Sequence, residues 1–167
     1  DVAIPPDETR DPQGLNMPGL NLSRDPARTP MQWDDSPYAG FSKISPWLRV
    51  PYNYSRFNVK VEQLDGFSML NFYKRLIDLR QQEAALNIGD YRSVFSDAQL
   101  IAYQRTFGDS RCLVVLNLTH RPATFQPGDF KFNGTIELST EPERIGALAS
   151  TPMTLSGDEG VIVRLKN

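Results

Sequence analysis

The first third of this chain restricts its folding options more than any other part. From Asp1 to Phe57 the sequence shows no helical or alternating hydrophobic period, yet it holds nine of the thirteen prolines. It cannot be a long helix or a regular sheet. Its aromatic residues, Trp33, Tyr38, Phe41, Trp47, Tyr52, Tyr54 and Phe57, argue equally against disorder, because disordered segments are poor in aromatics. An irregular stretch of this length belongs to a functional loop or leans on a partner surface. Within it, Ser23 to Asp35 places Arg24 and Arg28 beside Asp25, Asp34, Asp35 and Trp33, with Pro26 and Pro30 fixing the backbone between them. Two guanidiniums on so stiff a support can present planar forks of donors to a carboxylate or to several hydroxyls. They can equally serve as loop-pinning ion pairs.

After this segment a short helical turn is predicted over Val59 to Leu64, with Asn58 as its N-cap and Glu62 near the position of a capping carboxylate. A stronger helix begins near Asp65 or Gly66 and ends between Gln82 and Leu86. Met69, Phe72, Tyr73, Leu76 and Leu79 or Ile77 recur on one face at steps of three and four, a stripe suited to core packing. Beyond Gly89 the pattern changes to strands: Tyr91 to Phe95, Leu100 to Phe107, Cys112 to Leu118, Ala123 to Phe125, Gly134 to Leu138, Pro152 to Leu155 and Gly160 to Leu165. Turn residues close each run, as in Gly108-Asp109-Ser110 and Gln126-Pro127-Gly128-Asp129. The expected fold is mainly β, an antiparallel β-sandwich with meander or Greek-key connections, preceded by an amphipathic helix and a long irregular segment. The expected divisions are 1–57, 58–88 and 89–167.

Composition excludes several chemistries. A net charge of −2 leaves no basic surplus for a phosphate backbone or an anionic lipid surface, so neither nucleic acid nor membrane is expected as a partner. No apolar run approaches the roughly 18 to 20 residues that span a bilayer. The single cysteine, Cys112, opens an apolar run and reads as a small hydrophobe; the single histidine, His120, sits in a turn-like Thr-His-Arg-Pro. A Cys/His zinc centre, a Cys-x-x-Cys redox pair and a Ser-His-Asp triad with a second histidine are therefore not expected, and no cofactor is. Four Asn-x-Ser/Thr sequons, at Asn21, Asn53, Asn117 and Asn133, matter only in a glycosylating host. The first residues, Asp-Val-Ala-Ile-Pro-Pro, offer neither an initiator Met nor a leader-like pattern and read as a chain cut from something longer.

A glycosidase of the usual type needs two carboxyl groups across one bond, about 5 to 5.5 Å apart for retention. Asp34 and Asp35 are neighbours that would diverge from an extended backbone, while Asp7-Glu8, Glu141 with Glu143, and Asp158-Glu159 fall in turn composition. No complete catalytic set is present by this reading.

The motifs themselves carry a resemblance. Arg24-Asp25-Pro26-Ala27-Arg28-Thr29-Pro30-Met31-Gln32-Trp33-Asp34, then Ala39-Gly40-Phe41-Ser42, Pro46-Trp47 and Asn58-Val59, resembles the segment that follows the last barrel strand in oligo-1,6-glucosidases and maltases of the α-amylase family, glycoside hydrolase family 13. Phe72 to Arg80 is similar to the last helix of that (β/α)8 barrel, and Ile101-Ala102-Tyr103 with Leu113 to Leu118 to its C-terminal β-sandwich. The resemblance implies the C-terminal portion of a bacterial-type retaining α-glucosidase acting on α-linked oligosaccharides, with the catalytic carboxylates on barrel strands upstream of Asp1. It implies no catalytic residue in this chain, and inactivity of the chain alone. It further implies that Arg28 reaches the terminal glucose, with Arg24 the second candidate for substrate binding, while Trp33 and Asp34 fix the loop. A cytoplasmic rather than secreted location is expected. The same scaffold serves glucosyltransferases and sugar isomerases, and a non-catalytic carbohydrate-binding or structural module, or a transporter heavy chain, is the alternative from another class.

Overall fold

The computed structural model describes residues 2–166; Asp1 and Asn167, the outer limits of the first and third expected divisions, lie outside the described residues. The chain separates into two compact units, Asp1–Asn71 and Phe72–Asn167.

The N-terminal unit is built from turns. Short 3-10 turns at Pro6–Glu8, Asp25–Arg28 and Pro37–Gly40 alternate with a one-turn helix α1, Pro12–Asn16, and with α2, Val59–Leu64. Pro stands in the first turn of the first four of these, where its missing N–H costs nothing and its fixed φ suits the helix. Asn58 caps α2 as its sequence predicts, accepting from the Val61 N–H at 2.9 Å. Glu62 does not act as the capping carboxylate of its own helix; it accepts instead from the Leu70 N–H at 3.0 Å, at the start of the next. That helix, α3, runs over Met69–Gln82 rather than from Asp65 or Gly66. The reason is local: the Asp65 carboxylate holds a turn by accepting from the Phe67 N–H, and the Ser68 hydroxyl caps the helix through the Asn71 N–H.

In the C-terminal unit, α3 stops where Glu83 takes an extended backbone and caps a separate short helix, α4, Ala84–Ile88. The strands that follow are β1 Asp90–Ser96, β2 Leu100–Phe107, β3 Ser110–Asn117, β4 Ala123–Phe125, β5 Asn133–Ser139, β6 Leu148–Ser150, β7 Met153–Leu155 and β8 Gly160–Leu165. Six of them form one antiparallel sheet in the order β1-β2-β3-β8-β5-β6, and β4 pairs with β7 in a second. The fold is thus mainly antiparallel β, as the sequence suggests. The seven expected strands all form, and β6 is an eighth that was not expected.

The alternation of β2, β3 and β8 sorts their side chains onto two faces. Leu100, Ala102, Leu113, Val115, Val161 and Val163 meet Phe125, Met153 and Leu155 of the small sheet in one apolar core. Cys112 and Val114 face the other way, onto Ala85 and Leu86 of α4. β3 is consequently covered on both sides, and Cys112 packs as the expected small hydrophobe. Burial pushes its thiol up to about 11, which keeps it un-ionised and unreactive. Gly89 has a specific task at the α4–β1 junction: a Cβ there would lie 2.7 Å from the Thr106 carbonyl oxygen. By contrast, the Met69, Tyr73 and Ile77 face of α3 is at least half exposed. Of the same stripe, Phe72, Leu76 and Leu79 are partly buried, and Leu79 packs under α4.

Candidate functional site

The segment from Asp11 to Asp34 is held by carboxylates pointing inward. Asp11 ends an extended residue just before Pro12, the usual place for an N-cap, and its carboxylate accepts from the Gln13 N–H at 3.4 Å. The same buried group accepts from the Arg24 backbone N–H at 2.7 Å and from its guanidinium, Nε at 2.9 Å and Nη2 at 2.6 Å. The Arg24 guanidinium and backbone hydrogen bonds hold the Asp11 carboxyl far below the usual carboxylate range. Asp25, buried as well, accepts from the backbone N–H groups of Arg10 at 2.7 Å and Asp11 at 3.0 Å, which lower its pKa in the same sense. Two remote pieces of chain are thereby clamped by one reciprocal pair of aspartates.

The two candidate arginines differ sharply in this setting. Arg24 donates to Asp11 in the bidentate manner of a structural pin. Arg28, four residues on at the end of the Asp25–Arg28 turn, is exposed and makes no ion pair or side-chain hydrogen bond among the described residues. The turn is rigid where Arg24 enters it, and Arg28 leaves it with all five N–H donors uncommitted.

A second tight structure follows. The Ala39 carbonyl oxygen accepts from both the Trp33 and Asp34 N–H groups, at 2.9 and 3.2 Å, and Asp34 accepts from the Ser36 N–H and hydroxyl. To close this loop Tyr38 and Ala39 take left-handed φ values of 58°, followed by Gly40 at 66°. Only glycine fits at position 40, because a Cβ would sit 2.6 Å from an Asp34 carboxylate oxygen. Asp34 is thus engaged within the loop, whereas the Trp33 ring is half exposed. The backbone carbonyls of Gln32 and Trp33 accept from Val59 and Lys60, which ties this loop to α2.

Asp11 was not singled out by sequence reasoning, although Asp-Pro at a helix start was a visible signal. Nothing in the spacing showed that the Asp11 carboxylate would accept from Arg24 while the Asp25 carboxylate accepts from Arg10 and Asp11. Among the described residues no group of His, Cys, Asp and Glu side chains is arranged to hold a metal ion. Nor does any helix of these residues have the length and apolarity to cross a membrane.

Comparison with known proteins adds what geometry alone does not. The family described as the alpha amylase catalytic domain matches residues 1–89. Oligo-1,6-glucosidase from Parageobacillus thermoglucosidasius is 39% identical over 129 residues, covering 77% of this chain and 23% of that protein. Trehalose-6-phosphate hydrolase from Escherichia coli K12 is 36% identical over 112 residues, 66% of this chain and 20% of that protein. Among solved structures, isomaltulose synthase from Klebsiella sp. LX3 superposes with a TM-score of 0.78 at 34% identity, over 86% of this chain and 26% of that one. The chain therefore spans about a quarter of the length of these relatives. On the strength of the residues matched, the chain belongs to the alpha-amylase family of glycoside hydrolases.

Proposed function

We propose that this chain is the C-terminal portion of a retaining α-glucosidase that releases glucose from the ends of short α-linked oligosaccharides. The observation that carries the reading is the contrast within one turn: Arg24 is locked to Asp11, while Arg28 projects its guanidinium unpaired. A family that cleaves glycosidic bonds gives such an arginine an evident use, hydrogen bonding to the hydroxyls of a terminal glucose. The carboxylates that do the chemistry belong, on this reading, to the part of the relatives' length that the chain does not span. The half-exposed or more exposed Trp47, Phe67 and Met69 are then covered by the remainder of the catalytic domain. The C-terminal sandwich, with its own closed core, is chiefly structural.

The test uses the longer polypeptide that carries this sequence. Arg28→Ala lowers its kcat/KM on maltose by at least about tenfold, equivalent to about 1.4 kcal/mol of transition-state binding. Arg24→Ala acts instead on folding and lowers Tm. An unchanged kcat/KM in Arg28→Ala removes the substrate-binding role. The 167-residue chain alone releases no nitrophenol from an aryl α-glucoside. A second reading, sugar isomerisation, is favoured by the likeness to isomaltulose synthase and trehalulose synthase structures. Chromatography of sucrose incubations separates the two: glucose and fructose alone indicate hydrolysis, and rearranged disaccharides indicate isomerisation.

A further inference from the structure

Three strands of the large sheet change character toward one end. β2 places Leu100 and Ala102 in the apolar core, β3 places Leu113 and Val115, and β8 places Val161 and Val163. Period-two alternation carries the same faces on to Gln104, Arg111 and Leu165. An amide and a guanidinium thus stand where further apolar side chains would extend the core. With Leu165 they line one side of a cleft of about 370 Å³, within the range of small-molecule sites, and the Phe130 to Asn133 link that leads into β5 lines the other. All of these residues belong to the C-terminal unit.

Bonds already made hold the frame of this cleft. Arg111 Nη2 donates to the Lys166 carbonyl at 3.1 Å, and the Lys166 N–H donates to the Asn133 carbonyl at 3.0 Å, which ties β3, β8 and β5 together at this end. Phe132 is buried against Phe125, with ring centroids 5.9 Å apart, and the half-buried Phe130 lies beside it at 6.3 Å. Lys131 Nζ donates to the Gly128 carbonyl at 3.0 Å and keeps two further N–H groups. The Lys166 ammonium makes no hydrogen bond or ion pair among the described residues. Gln104 donates through one amide N–H to the Thr106 hydroxyl at 3.1 Å and retains a second. A ligand entering here meets a site that needs little ordering.

Three cations, Arg111, Lys131 and Lys166, therefore border one small cleft in a chain whose net charge is −2. No carboxylate lines it; Asp109 and Asp129, the acids nearest to Arg111 and Lys131 in the sequence, fall outside the lining. Like charges gathered in this way repel one another until an anion stands between them. We infer that the cleft binds a phosphoryl group, either as free phosphate or carried by a hexose. Two ammonium groups can make charge-assisted hydrogen bonds to its terminal oxygens, the pinned guanidinium adds its charge, and the Gln104 amide adds a neutral donor. The Phe130 ring offers an apolar face to the C–H groups of a sugar. An extended polyanion does not fit, because the charges converge on one cleft. This assignment gives the sandwich a ligand of its own and is independent of the role of Arg28.

The experiment is calorimetric titration of the longer polypeptide with inorganic phosphate and with glucose 6-phosphate, at constant ionic strength and with glucose as the control. The double variant Lys131→Gln/Lys166→Gln changes two exposed side chains and leaves Arg111 in its strand. Phosphate is expected to bind with a Kd of about 1 mM or tighter. The double variant is expected to weaken it about tenfold or more, as loss of two charge-assisted bonds predicts. Tighter binding of glucose 6-phosphate, lost in the same variant, supports the site with a sugar phosphate as its ligand; equal affinities, both lost, support it with free phosphate. Absence of binding by both ligands, or binding that survives unchanged in the folded double variant, overturns the assignment. Glucose binding as tightly as glucose 6-phosphate overturns it too, since the phosphoryl group would then contribute nothing. Arg28→Ala is expected to leave phosphate affinity unchanged, and an equal loss there places the binding at the Arg28 turn and overturns the assignment to the sandwich.

Discussion

The two units of this chain reach order by different means. In the C-terminal unit the centre is apolar: Phe125 is wholly buried and touches Phe95 and Phe132, and six strands supply the rest of the layer. In the N-terminal unit the buried positions include Asp11, Asp25 and Asn58, with few large apolar side chains beyond Leu48. A core of the first kind is held by area removed from water and can stand without a partner. An assembly of the second kind is held by directional bonds that fix loops in place while leaving aromatics such as Trp33, Phe41 and Trp47 outside.

That contrast can be broken by substitution. The largest effect is expected in the sandwich: Phe125→Ala costs about 3–5 kcal/mol, measured by urea unfolding, and a value below about 1 would mean the two sheets are not bound by their shared core. Next comes Glu83, which caps α4 and also accepts from Ser110 and Arg164. Glu83→Ala is expected to cost about 1–3 kcal/mol in the same unfolding transition. In the N-terminal unit Asp11→Asn keeps the shape but loses the charge that Arg24 needs. It is expected to speed protease nicking between residues 10 and 35 while leaving the sandwich transition in place. Simultaneous loss of both transitions would show that the two units do not differ as described.

The pH dependence sharpens the same point. The Asp11 and Asp25 pKa values are depressed in the folded state, so the stabilisation they give is complete above the ordinary carboxylate pKa of about 4 and is lost as pH falls toward the lower folded values. Hydrogen exchange at Gln13 and Arg24 should therefore accelerate on acidification before that of β3. The smallest effect belongs to His120, whose pairing with Asp158 at 2.7 Å raises its pKa on an exposed turn. Its contribution is present below the unfolded value and disappears as pH rises through the folded one. His120→Ala is expected to leave the unfolding midpoint at neutral pH unchanged.

How much of this was legible in the sequence follows from the same physics. Strands β2, β4 and β8 could be read to the residue, because period-two alternation bounded by turn residues is a local signal. Asn58 was legible as a cap for the same reason. The clamp in which Asp11 accepts from Arg24 and Asp25 accepts from Arg10 and Asp11 was not, since it joins residues brought together by two turns whose geometry no periodicity records. Nor was the separation of α4 from α3, which depends on Glu83 being drawn to Arg164 across a sequence gap of 81 residues. For the site, the arginine pair was visible in the motif, but only packing showed one to be tied down and the other free.

The place of β8 in the sheet also bears on how the chain is made. Strands β1 to β3 can pair with one another as they emerge from the ribosome, and so can β5 and β6, but β8 lies between β3 and β5. The two halves stay unjoined, each with an open edge, until Leu165 has been synthesised and has cleared the exit tunnel. Nascent chains stalled before that point expose the edges of β3 and β5 in addition to those of β1 and β6, the condition under which neighbouring polysomal chains join edge to edge.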